Sequence, residues 1–168
     1  MSPSASISPS ASVSPSISPS ASVSPSVSPS PSPGYEGYTR GNYAALPADS
    51  ADLETVYTAQ NKTDVSTKND VWVDQNAIGQ YTIHQFKNFV GATLSVTVEW
   101  GGKTNCAPFL STVYLQIYKV STGAWETIDS DNTSSADTDF ILTSGVGGLA
   151  DYKDGSGVIA CRVYQLAI

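Results

Sequence analysis

From residue 2 to residue 32 every even position of this chain is serine, and the odd positions from 3 to 33 hold only proline, alanine, isoleucine and valine. A period of two belongs to an extended chain, in which alternate side chains point to opposite faces. One face is then hydroxyl and the other apolar. The eight prolines of this segment (Pro3, Pro9, Pro15, Pro19, Pro25, Pro29, Pro31 and Pro33) are all odd-numbered. Backbone N–H groups of alternate residues point to opposite edges, so every missing donor falls on one edge. The serine edge can pair with another strand, while the proline edge resists further pairing. Ile7, Val13, Ile17, Val23 and Val27 are the large side chains of the apolar face. They are the candidates for gripping a neighbour if the segment acts as a donor strand. The other reading is a solvated polyproline II linker, in which three residues per turn distribute the serines around the axis. In either form the segment spans on the order of 100 Å.

Beyond Gly34 the pattern becomes that of a folded domain. Gly34–Pro47 (GYEGYTRGNYAALP) reads as turn-rich, with Gly34, Gly37 and Gly41 interrupting regular structure. Tyr35, Tyr38 and Tyr43 supply contact surface there, for a docking collar or for a strap packed on the domain itself. Short strands are expected at Leu53–Thr58 and Asp70–Val73. Tyr81–Phe89 alternates, and Thr93–Trp100 does so cleanly, with Leu94, Val96, Val98 and Trp100 opposite Thr93, Ser95, Thr97 and Glu99. Val113–Val120, Trp125–Ile128, Asp139–Leu142 and Val158–Gln165 complete the set. Turn chemistry separates them at Gly101-Gly102, Ser121–Gly123, Asp129–Asp137 and Asp154–Gly157. No amphipathic helix of three turns is expected. The reading is all-β, an antiparallel β-sandwich over residues 35–168 preceded by an extended Ser/Pro repeat over 1–34.

Charge sharpens that division. All eight basic and all fifteen acidic residues lie beyond Gly34. The net charge of −7 argues against nucleic acid as a partner and against adsorption to anionic membranes. No run approaches the ~20 apolar residues of a membrane span. Met1 leads directly into the repeat without a basic or apolar signal region. The Ser/Thr/Gly/Asn-rich, Lys-poor composition nonetheless reads as extracellular or cell-surface, which predicts trimming or an unconventional export route.

Candidate chemistry is sparse. His84, the single histidine, sits inside an expected strand, where a packing or surface role is the ordinary one, and no Ser-His-Asp set can be nominated. Cys106 and Cys161 with one histidine do not make a zinc site. As a disulfide they would close a loop of about 55 residues, contributing roughly 3–4 kcal/mol in an oxidising compartment. Otherwise they are two buried thiols. Gly145–Gly148 (GVGG) lacks the lysine of a phosphate loop. The expectation is therefore a protein that is not an enzyme and needs no cofactor, with structural calcium at Asp129, Asp131, Asp137 and Asp139 as a weak candidate. Trp72, Trp100 and Trp125 could stack on sugar rings, although core packing also accounts for strand tryptophans. Covalent glycans have better candidates. Asn61-Lys62-Thr63 and Asn132-Thr133-Ser134 are N-glycosylation triplets. The mucin-like repeat offers Ser2, Ser4, Ser6, Ser8, Ser10, Ser12, Ser14, Ser16, Ser18, Ser20, Ser22, Ser24, Ser26, Ser28, Ser30 and Ser32 as O-glycan acceptors.

Two resemblances attach to particular residues. The run from SVTVEWGG (Ser95–Gly102) through STVYLQIYKVSTGAWETIDSDN (Ser111–Asn132) to VIACRVYQ (Val158–Gln165) resembles jelly-roll, galactose-binding-like accessory modules. That resemblance implies a jelly-roll-like sandwich, and no loop matches a family motif closely enough to transfer binding residues. The repeat is similar to Ser/Pro-rich segments of glycan-coated extracellular fibrils. It also resembles pilus-type subunits, whose N-terminal extension completes a neighbour's sandwich, although those extensions are more hydrophobic. Together these imply a non-enzymatic structural protein that self-associates into a glycosylated surface filament. The rival expectation is a carbohydrate-binding or adhesion module on a mucin-like stalk.

Overall fold

The computed structural model describes residues 36–66 and 70–168. The Ser/Pro repeat, with its serines and with Ile7, Val13, Ile17, Val23 and Val27, lies outside the described residues. What is described is all-β: two antiparallel sheets and one short helix. The larger sheet has the order β2-β1-β3-β8-β5-β6, from Thr55–Val56, Glu36–Tyr43, Tyr81–Phe89, Val158–Leu166, Val113–Lys119 and Ala124–Asp131. The smaller pairs β4 (Ser95–Gly102) with β7 (Phe140–Gly147).

Alternation decides which side chains meet between the sheets. Val113, Leu115 and Ile117 of β5 and Ile159, Cys161 and Val163 of β8 face Leu142 and Val146 of β7. Val96, Val98 and Trp100 of β4 pack against these clusters but stay only partly buried. Ile128 joins both clusters through a bulge in β6, where the register steps from Leu115–Asp129 to Gln116–Thr127.

The other face of the large sheet is covered by the chain between β1 and β2. Leu53 packs on Ile83 and Tyr164, and the Gln85 amide donates to the carbonyls of Ser50 and Ala51. The Arg162 guanidinium donates to the Pro47 carbonyl at 2.7 Å and to Gln116 Oε1 at 2.9 Å. It also stacks over Trp125, 4.1 Å from the ring centroid. This cover explains why β8 is buried along nearly its whole length, on both faces.

Three expectations need correction. The Gly34–Pro47 segment is not simply turn-rich, because Glu36–Tyr43 forms β1 and pairs with β3 along eight residues. The Tyr43 ring lies over Gly41, near enough to occupy the space of a side chain there, and so covers the glycine that looked like a breaker. Leu53–Thr58 pairs only at Thr55–Val56. Thr58 instead caps a helix, α1 (Ala59–Val65), by accepting from the Asn61 N–H while Asn61 Oδ1 accepts from the Thr58 N–H. Asp70–Val73 is not a strand. Its continuation is tied to β1 by side chains, with Arg40 donating to the Asp74 carbonyl and Asn42 to the Asn76 carbonyl.

Candidate functional site

The unequal sheets leave an open groove. On one flank β7 is anchored to β6, the Thr143 N–H donating to Asp129 Oδ2 at 2.7 Å. On the other flank β4 is the edge of its sheet, hydrogen-bonded to β7 alone among the described strands. Beyond that edge lies the inner face of β3 and β1. Segment 72–77 forms the far wall of a cavity of about 690 Å³. The floor carries Tyr38, Phe86, Cys161 and Val163. Consecutive residues Val96–Gly102 line it, so the backbone edge of β4 faces the groove together with its inward side chains. Protein interiors pack with few voids larger than a water molecule. A cavity of this size beside an unpaired strand edge is therefore the most distinctive surface of the domain.

A polar group closes the floor. The Tyr57 hydroxyl hydrogen-bonds to His84 Nδ1, and the Arg40 guanidinium lies 6.0 Å from the Tyr57 ring centroid. Burial, and secondarily the Arg40 charge, hold His84 down at about 4 from its ordinary 6.5. The imidazole is therefore neutral near pH 7 and accepts the tyrosine proton. Burial likewise pushes the Tyr57 phenol well above its usual range, so it remains a donor. The pair braces β3 against the β2–α1 corner. A neutral, tyrosine-capped histidine lacks the free nitrogen and the pKa near 7 that favour a general base.

The same pair predicts a pH dependence. Between 6.5 and about 4 the unfolded histidine takes up a proton that the folded one refuses. Stability therefore falls as the pH falls through that window and levels off below it, by up to ~3 kcal/mol. Urea midpoints of the chain and of His84→Gln should diverge in slope only within this window. Parallel profiles would refute the assignment.

The other sequence candidates are scattered. Cys106 and Cys161 are both free. Cys161 sits mid-strand in the core, and burial raises its thiol to about 12. The Cys106 carbonyl is held by Gln165, four residues further along β8 or ~13 Å, whereas a disulfide needs Cα atoms within about 7 Å. The four candidate calcium ligands do not converge, and no group of three or more metal-ligating side chains occurs among the described residues. Asp129 accepts from the Ser130 and Thr143 backbone, and Asp131 from Thr133 and Ser134. Asn132 is exposed in the β6–β7 turn. Asn61 lies in the first turn of α1 rather than in a turn-like loop. Trp125 is covered by Arg162 and donates to the Asp49 carbonyl, and Trp100 packs on Phe140. Trp72 alone of the three stands at the groove rim, 37 % exposed, with the Lys103 ammonium 5.8 Å from its ring centroid. The groove itself was not read from the sequence. The only signal was the clean alternation of β4, which does not say on how many sides a strand is paired.

Comparison with known protein families, with curated proteins and with solved structures finds no match.

Proposed function

We propose that this chain is a non-enzymatic, extracellular structural protein, a protomer of a glycosylated surface filament. Residues 2–33 of one copy lie along β4 of the next. The observation that carries the reading is the open β4 edge over an apolar groove. The repeat supplies what that edge lacks. Its period of two presents one apolar face, and its proline parity leaves only the serine edge able to pair. Paired to β4 in this way, the Pro, Ala, Ile and Val side chains enter the groove and the serine hydroxyls point to solvent. O-glycans on the serines are therefore compatible with insertion.

Magnitudes bear on how such a strand would hold. An Ile and a Val fully buried contribute ~1.5–2 kcal/mol each. With few large side chains per groove length, one insertion is a weak, roughly millimolar contact by itself. A filament built this way relies on repetition and on contacts between domains. The likeness to jelly-roll accessory modules belongs to this proposal as an architectural analogy.

The second reading, a carbohydrate-binding or adhesion module on a mucin-like stalk, rests on Trp72 at the groove rim. Negative-stain microscopy of the purified full chain, paired with a glycan array, separates the two. Regular filaments without glycan binding are expected. Monodisperse particles that bind glycans would favour the second reading instead.

A further inference from the structure

Residues 6–15 and 16–25 are the same decapeptide, SISPSASVSP. The first contains Ile7 and Val13 and the second Ile17 and Val23, at identical offsets. β4 has eight residues, about 26 Å of edge, and a decapeptide extends about 33 Å. Each decad is therefore long enough to span the groove once, with one Ile and one Val on its apolar face.

The fold also fixes the ends between which such a strand would run. β1 begins at Glu36, opposite Asn88 and beside the Phe89–Val158 pair. β4 begins at the same end, since the Thr93 N–H donates to the Val90 carbonyl and the Val90 N–H to Gly157. β4 then runs to the opposite end, where Gln165 holds the Cys106 carbonyl. A strand seated parallel to β4 leaves the groove at the end remote from Glu36, then continues into its own domain at that domain's Glu36 end. The result is a head-to-tail chain that does not close. A strand seated antiparallel would join like ends and allow reciprocal insertion into a closed pair. Both ends expose apolar side chains: Phe89, Leu94 and Val120 at the Glu36 end, and Ile78, Leu110 and Ile168 at the other. Unlike ends meeting would bury them.

We infer that the two decads are interchangeable donor strands, each seated parallel to β4 of another copy of this chain, and that they permit two subunit spacings. Decad 16–25 leaves ten residues before Glu36, and decad 6–15 leaves twenty. The shorter connection keeps the apolar ends together and sets the ordinary spacing. This inference rests on the filament reading above.

Three variants of the full chain test it by electron microscopy. Ile7→Asp with Val13→Asp should leave filaments of unchanged axial repeat. Ile17→Asp with Val23→Asp should leave filaments whose axial repeat is longer by up to ~33 Å, the length of ten extended residues. All four substitutions together should abolish filaments. Loss of filaments in the second variant alone would overturn interchangeability and leave the filament reading intact. Closed pairs in place of filaments in the unsubstituted chain would overturn the parallel direction. Filaments surviving all four substitutions would overturn the filament reading itself, because the repeat would not be the occupant.

Discussion

A chain lacking residues 2–33 is expected to fold and to remain monomeric at concentrations where the full chain forms filaments. The hydrophobic clusters, the two sheets and the cover over β8 are all built from residues beyond Glu36, so the domain keeps its core. What it loses is the strand offered to β4 of the next copy. Burying one Ile and one Val is worth about 3–4 kcal/mol in all, and 1.4 kcal/mol is a factor of ten. The critical concentration should therefore rise by at least about 100-fold, read by sedimentation, with the melting temperature of the isolated domain unchanged. Val98→Arg should have the same effect while leaving the repeat intact. It places a cation on the groove wall at a position that is only partly buried, so the fold tolerates it. Filaments of normal repeat from either variant would sink the proposal.

The second large effect is on stability. Arg162 is 3 % exposed, and no carboxylate neutralises it. It is held by Gln116, by the Pro47 carbonyl and by the faces of Trp125 and Tyr164. Burial lowers its pKa to about 10, still high enough to keep the charge at neutral pH. Arg162→Met retains much of the stem and removes the donors. The Gln116 oxygen and the Pro47 carbonyl lose their partner, at ~1–3 kcal/mol per buried unsatisfied group. A loss of ~2–4 kcal/mol is expected in urea melts, with faster hydrogen exchange over residues 44–54. A loss below ~1 kcal/mol would mean that the cover is held by Leu53 and the Gln85 amide alone.

Much of this architecture was legible in the alternation of apolar positions. β3 was placed to the residue at both ends, and β5 and β8 to within one residue, because each alternates between two covered faces and ends in turn chemistry. β1 was not legible. Its glycines signal turns, and only the tertiary contact of Tyr43 over Gly41 makes them compatible with a strand. α1 was hidden for a different reason: seven residues are too few to show a helical period, and its capping residue Asn61 also reads as a glycosylation triplet. Asp139–Leu142 was read four residues short of the observed strand end because Gly145 and Gly147 resemble loop residues, yet they pair with Thr97 and Ser95. The buried role of Arg162 could not be read from its neighbours in sequence, since its partner Pro47 is 115 residues away. The groove is a property of sheet order, and order is not written in any single strand. The repeat shows a complementary case. Its alternation defines a pairing edge without naming the strand it pairs with.

The most direct measurement is a cross-link from the groove. A benzophenone side chain introduced in place of Trp72, at the rim opposite β4, can be photo-activated in filaments assembled from equal amounts of ¹⁴N- and ¹⁵N-labelled chains. Mass spectrometry should then find position 72 joined to residues 7–27, with mixed-label pairs as frequent as same-label pairs. Cross-links confined to same-label pairs, or none to the repeat at all, would contradict the account.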